Sequence, residues 1–185
     1  MPENKEFKNT QIIRKDAKNC FVETKSDCFE INKVVFNFLS YDASKPEGQR
    51  ATGTVSIFMP VDDLLLLNAR IMNGSLAEEI EVKRAAKDGK PLYSHLGGKN
   101  AEKAGRKDGM ALSRNVALSV GYKGLFLTAE EGPGEVSGSG IIVPKYTKPE
   151  QKVSVSLSYD DFVRLITITK AHFDAWLCSK YLKES

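Results

Sequence analysis

Two segments of this chain carry nearly the same wording. Val55-Ser56-Ile57-Phe58-Met59-Pro60-Val61-Asp62-Asp63-Leu64 and Val153-Ser154-Val155-Ser156-Leu157-Ser158-Tyr159-Asp160-Asp161-Phe162 lie 98 positions apart and share four identical residues. In both, apolar side chains alternate with polar ones and an aspartate pair then leads into an apolar run. Alternation of period two buries one face of a strand, and a carboxylate in a first helical turn accepts unpaired backbone N–H groups. Each segment therefore predicts a strand, an aspartate cap and a helix start. Upstream, Lys45-Pro46-Glu47 and Lys148-Pro149-Glu150 also match, with a five-residue difference in the length that follows. Loop, strand, aspartates and helix recurring in one order predict a duplication. The expected fold is α+β: two antiparallel β-sheet-plus-helix units in a single domain over 1–185. The repeats span 13–87 and 108–182, and a basic, glycine-rich connector joins them.

The remaining pattern fills in these units. Residues 1–12 are polar and expected to be loose. From Cys20 to Tyr41 short alternations predict two strands, with Val34, Phe36 and Phe38 on one face. Asp42–Arg50 is a loop, and Thr52–Met59 a strand ended by Pro60. In the second unit Val116, Leu118, Val120 and Tyr122 alternate with small residues, and Lys123-Gly124 turns the chain into Leu125-Phe126-Leu127. Residues 130–140, EEGPGEVSGSG, predict a long turn, with a strand resuming at Ile141–Val143. Tyr159–Tyr181 is the longest predicted helix, apolar along Phe162, Leu165, Ile166, Thr169, Phe173, Trp176 and Leu177.

Charge is unevenly placed. The whole chain is close to balance at +3. Residues 83–114 hold nine basic side chains against Asp88, Glu102 and Asp108, so that segment alone is +6. Such a stretch either steers an anionic partner or is a solvated linker. Three cysteines, Cys20, Cys28 and Cys178, cannot all pair with one another and contain no close metal-ligand pair. The N-terminal MPENKEFKNT has no apolar signal segment and no run approaches a membrane span, so a cytoplasmic location with no membrane partner is the expectation.

No motif points to catalysis. The chain lacks HExxH, a nucleophile elbow and a Walker sequence, and GPGEVSGSG has no lysine followed by Ser/Thr. Asp62-Asp63 and Asp160-Asp161 have helix capping as their first explanation, adjacent helical residues pointing about 100° apart. His95, in YSHLGG, is placed to approach a phosphate; His172 beside Phe173 suits packing. An enzyme, a metal site and a cofactor are all unexpected. Binding of a single strand needs backbone-matching positive charge and apolar or aromatic platforms beneath bases. Phe58, Tyr93, Lys99, Lys103, Arg106, Lys107, Arg114, Tyr122 and Lys123 supply these groups near or on the proposed strands, with Ser56, Ser154, Ser156 and Ser158 on outward faces.

From Cys20 to Tyr181, the element order and the repeated strand-aspartate-helix units resemble the Whirly proteins, plant binders of single-stranded DNA. That fold is in turn similar to a dimer of the eukaryotic positive transcriptional coactivators. No residue role is carried over. The resemblance implies a single-stranded-DNA partner ahead of RNA, and assemblies formed through helices. The long terminal helix, with Phe173, Trp176, Leu177 and Tyr181, would serve a homo-oligomer. A structural or protein-interaction module that binds no nucleic acid is the competing expectation.

Overall fold

The computed structural model describes residues 10–184. Residues 1–9 lie outside the described residues, but Gln11 and Ile12, expected to be loose, already belong to a strand. The first sheet is an antiparallel meander, β1 (Gln11–Ala17), β2 (Cys20–Lys25), β3 (Lys33–Tyr41) and β4 (Ala51–Pro60), in that order. Helices α1 (Val61–Met72) and α2 (Ser75–Ala86) follow it. The second sheet holds β5 (Tyr93–Lys99), β6 (Ala111–Val120), β7 (Leu125–Val136) and β9 (Gln151–Leu157) as successive antiparallel neighbours. A one-turn α3 (Ala101–Ala104) and the short β8 (Ile142–Pro144), paired to the far end of β7, interrupt the sequence. Helix α4 (Tyr159–Glu184) closes the second unit. The fold is α+β, with two sheet-plus-helix units of matching topology.

Alternation decides which face is buried. Val55, Ile57 and Met59 of β4 stand opposite Phe38, Phe36 and Val34 of β3, all at most 1% exposed. In the other unit Val153, Val155 and Leu157 of β9 face the same side as Ala129, Leu127 and Leu125 of β7. These two apolar faces meet in one contiguous core with the buried sides of α1, α2 and α4. Strand β4 touches β5, β6, β7 and β9, so it runs across the second sheet rather than along it.

Helix α4 lies on β1 and β2 of the first unit and beside α1. Its Phe173 and Trp176 pack with Phe29, from a 3-10 turn at Phe29–Ile31, with ring centroids 5.3–5.7 Å apart. Each such aromatic pair adds about 0.5–1.5 kcal/mol beyond its area burial. These two rings of the apolar stripe thus cover the chain's own sheet.

Three local expectations are corrected. The connector at 88–109 contains a strand: β5 is built from Tyr93-Ser94-His95-Leu96-Gly97-Gly98-Lys99, so the second sheet starts well before 108. Strand β7 continues to Val136 through the glycines expected to turn, and the turn is confined to 137–141, where Ser137 N–H donates to Ile141 O. A Cβ at Gly132 would lie 2.8 Å from the Tyr146 ring, and one at Gly134 2.9 Å from Ile142. The glycines are there so that the returning chain can lie close on the strand. The aspartates also do not cap as expected. The N-cap of α1 is Pro60, without a side-chain bond. At α4 Ser158 Oγ accepts the Asp161 N–H at 3.0 Å, the N-cap bond of the helix, and donates to the Asp161 carboxylate at 2.8 Å.

Candidate nucleic-acid interface

A cleft of about 490 Å³ opens where the free edge of β5 approaches the first sheet. Ile31, Lys33, Ile57 and Phe58 form one wall, and His95 through Lys99 with Arg114 form another; residues 140–142 close the third side. Its size falls in the range of small-ligand sites, about 300–1,000 Å³. Phe58 is on the outward side of β4 because Ile57 and Met59 are committed to the core; it is 38% exposed, and Leu96 opposite is 42% exposed. Gly98 sits at φ +144°, where an added Cβ would fall 1.9 Å from Leu112 O. Only glycine allows β5 to run this close to β6 and leave the cleft open.

Positive charge borders the apolar walls. Neither Lys33 nor Lys99 has an ion-pair partner among the described residues. Arg114, also on the wall, is bound by Glu131 across the β6–β7 pair. The cleft therefore brings together Phe58, Lys99 and Arg114 of the residues expected to bind, with Arg114 largely neutralised. Lys33, Leu96, Ile31 and Ile141 are additions that the sequence did not single out. Lys33 starts a strand, and only the fold brings it to β5.

Behind His95, outside the cleft lining itself, Asp63 is shared by two side chains of β5. The Tyr93 hydroxyl donates to Asp63 Oδ2 at 2.9 Å, and His95 Nδ1 lies 3.2 Å from the same oxygen. Burial and then the bond to Asp63 push the Tyr93 phenol well above its ordinary value. Burial holds the His95 imidazole below its ordinary value; Asp63 opposes this and Lys33 adds to it. Tyr93 is thus tied up by its hydroxyl rather than offered as a stacking ring.

The other expected residues lie elsewhere. Arg106 is clamped by Asp108 and Glu150, each at 2.7 Å. Lys103 on α3 and Lys107 in the loop after it are exposed and have no ion-pair partner among the described residues. The +6 of the connector region is accordingly offset by carboxylates from outside it, Glu81 on Arg84, Glu150 on Arg106 and Glu131 on Arg114. At the β6–β7 hairpin Tyr122 is 91% exposed and Lys123 borders a shallow groove with Phe126, Ser156 and Ser158. Nothing in Leu125-Phe126-Leu127, three large apolar residues in a row, sets Phe126 apart from its neighbours. Its outward position follows only from the register, Ser119–Phe126–Ser156 across three strands. Thr128 and Ser154, whose hydroxyls meet at 2.8 Å, continue the same outer face toward the row that holds Leu96.

Among the described residues no group of three or more His, Cys, Asp or Glu side chains is arranged to hold a metal ion, and no helix is long and apolar enough to cross a membrane. No protein-family model matches the chain, and no curated protein matches it in sequence.

Proposed function

We propose that this chain is a Whirly-like, non-enzymatic binder of single-stranded nucleic acid, single-stranded DNA ahead of RNA. The observation that carries the reading is the pairing of exposed apolar walls, Phe58 and Leu96, with the unpaired cations Lys33 and Lys99 in one cleft. Bases unstacked from a single strand need such platforms, and its phosphates need such charges; a duplex presents neither its base faces nor the same backbone path. The Tyr122–Lys123–Phe126 groove repeats the combination at the other end of the outer face of the second sheet. Lys103 and Lys107 add charge beyond the cleft.

The test is fluorescence anisotropy of the full chain with matched single-stranded DNA, single-stranded RNA and duplex DNA at two salt concentrations. Contact with about 4–6 phosphates implies an affinity loss of about 50-fold or more for a fourfold rise in salt. Equal affinity for duplex and single strand, or no salt dependence, would remove this reading.

A second reading, assembly through the helices, is favoured by apolar side chains that the helix pair leaves uncovered. Leu65, Leu66 and Met72 of α1 and Ile168 of α4 are exposed, although α1 and α4 already pack on one another. Light scattering on the purified chain and on Leu66→Lys tests it: a larger particle for the wild type that shrinks in the variant supports a homo-oligomer.

A further inference from the structure

His95 is oriented as a receptor for an anion. Its Nδ1 lies 3.2 Å from Asp63 Oδ2, so the carboxylate favours the proton on Nδ1 of the neutral ring, and Nε2 has no hydrogen-bond partner among the described residues. Nε2 borders the cleft: a Cβ at Gly97, itself a lining residue, would lie 3.3 Å from it. The charged groups around the ring come from every element packed against it. Asp63 and Asp62 come from α1, Lys33 from β3, Tyr93 and Lys99 from β5, and Arg114 from β6 with Glu131 of β7 behind it.

We propose that His95 is a phosphate-contacting residue of the cleft, positioned by Asp63, and that it takes up a proton when a phosphodiester binds. This rests on the single-strand reading above. In the empty cleft the ring is neutral near pH 7, because burial disfavours its charged form and Lys33 repels it. A phosphate oxygen at Nε2 supplies the missing acceptor and favours imidazolium, with Nδ1–H retained on Asp63. Binding and protonation are then linked. Affinity rises as pH falls between the ligand-bound and the free titration midpoints of His95, and levels off on either side of that window. Asp63 sets where the window lies: without its negative charge the ring is harder to protonate, and the rise moves to lower pH.

The decisive experiment titrates a fluorescein-labelled, mixed-sequence 12-nucleotide single-stranded DNA with the full chain between pH 5.5 and 8.0 at constant ionic strength. The wild type should bind about 5–10-fold more tightly at the acid end. His95→Gln should bind within about twofold across the range while keeping the wild-type circular dichroism, and Asp63→Asn should keep a rise displaced toward acid. An NMR titration of the two histidines, His95 and His172, gives a measurement that needs no variant: saturating DNA should raise the midpoint of His95 alone. Binding that is independent of pH, an undiminished rise in His95→Gln, or an unmoved His95 midpoint would overturn the proton linkage while leaving single-strand binding intact. Absence of binding at every pH would instead overturn the underlying reading and the linkage together.

Discussion

Asp63 and Asp161 occupy the same place in their respective units, and each reaches across to the first strand of the other. Asp63 of α1 holds Tyr93 and His95 of β5. Asp161 of α4 holds Lys15 of β1 at 2.8 Å. The repeated aspartate is thus a reciprocal clasp between the units, with partners that differ: a phenol and an imidazole in one case, an ammonium in the other.

The Lys15 clasp makes part of the stability acid-sensitive. Lys15 and then Ser158 hold the Asp161 carboxyl below its ordinary value. A depressed carboxylate contributes stability that is fully present above its unfolded value near 3.9 and is lost as pH falls through its lower folded value. The pair is partly exposed, so solvent screening keeps its worth to about 0.5–1 kcal/mol. Asp161→Asn should lower stability by about that amount at pH 7 and show a correspondingly smaller loss between pH 4 and pH 2, measured by urea unfolding.

Thr24 of β2 and Thr169 of α4 are both fully buried and bring their hydroxyls to 2.7 Å. Thr169 Oγ1 also lies 2.6 Å from Leu165 O, to which only it can donate, so the proton between the two threonines comes from Thr24. Thr169→Val strands a buried donor at a cost of about 1–3 kcal/mol. The double variant Thr24→Val/Thr169→Val should cost less than the sum of the two singles, because no donor is then left unpaired. Strict additivity in denaturant titrations would rule out the pairing.

Gly98→Ala should be far more damaging than Gly89→Ala. The first places a Cβ against Leu112 O at a φ reserved for glycine, whereas the second meets nothing within 4 Å. Strain of this kind costs about 1–3 kcal/mol, and each kcal/mol lowers Tm by about 2–4 °C in a chain of this size. Thermal melts of both variants give the comparison directly.

The cationic residues should separate by their partners. Lys33→Ala and Lys99→Ala should each weaken single-strand binding and flatten its salt dependence, while Arg106→Ala should change affinity little because Asp108 and Glu150 already occupy its guanidinium. Phe58→Ala should lose about 1–3 kcal/mol of binding if one base stacks on it. Anisotropy titrations at two salt concentrations distinguish all four variants.

The repeat was legible because β4 and β9 are half-buried strands with strict alternation, followed directly by helices. Strand β5 was hidden: two glycines, a histidine and no β-branched residue give it no strand signal, and it is held by pairing with β6 rather than by propensity. The end of β7 was hidden by glycines that serve close packing and looked like a turn. Of the candidate site, Phe58 was visible as the odd large residue on an outward face. The contacts of Asp63 with Tyr93 and His95 were not, since they span 30 and 32 positions and depend on how the two sheets cross. The pairing of Arg106 with Glu150 and of Arg114 with Glu131 was likewise invisible, because these partners lie 44 and 17 positions along the chain.

The shared core has a consequence for how the protein responds to dilution. Neither sheet has a second apolar layer of its own, so each half shields the other as two separate subunits would. With both halves on one chain, that association is intramolecular and its strength is set by the short tether between α2 and β5. Midpoints of unfolding for the single chain should consequently be the same at nanomolar and micromolar protein, a robustness that two untethered halves would lack.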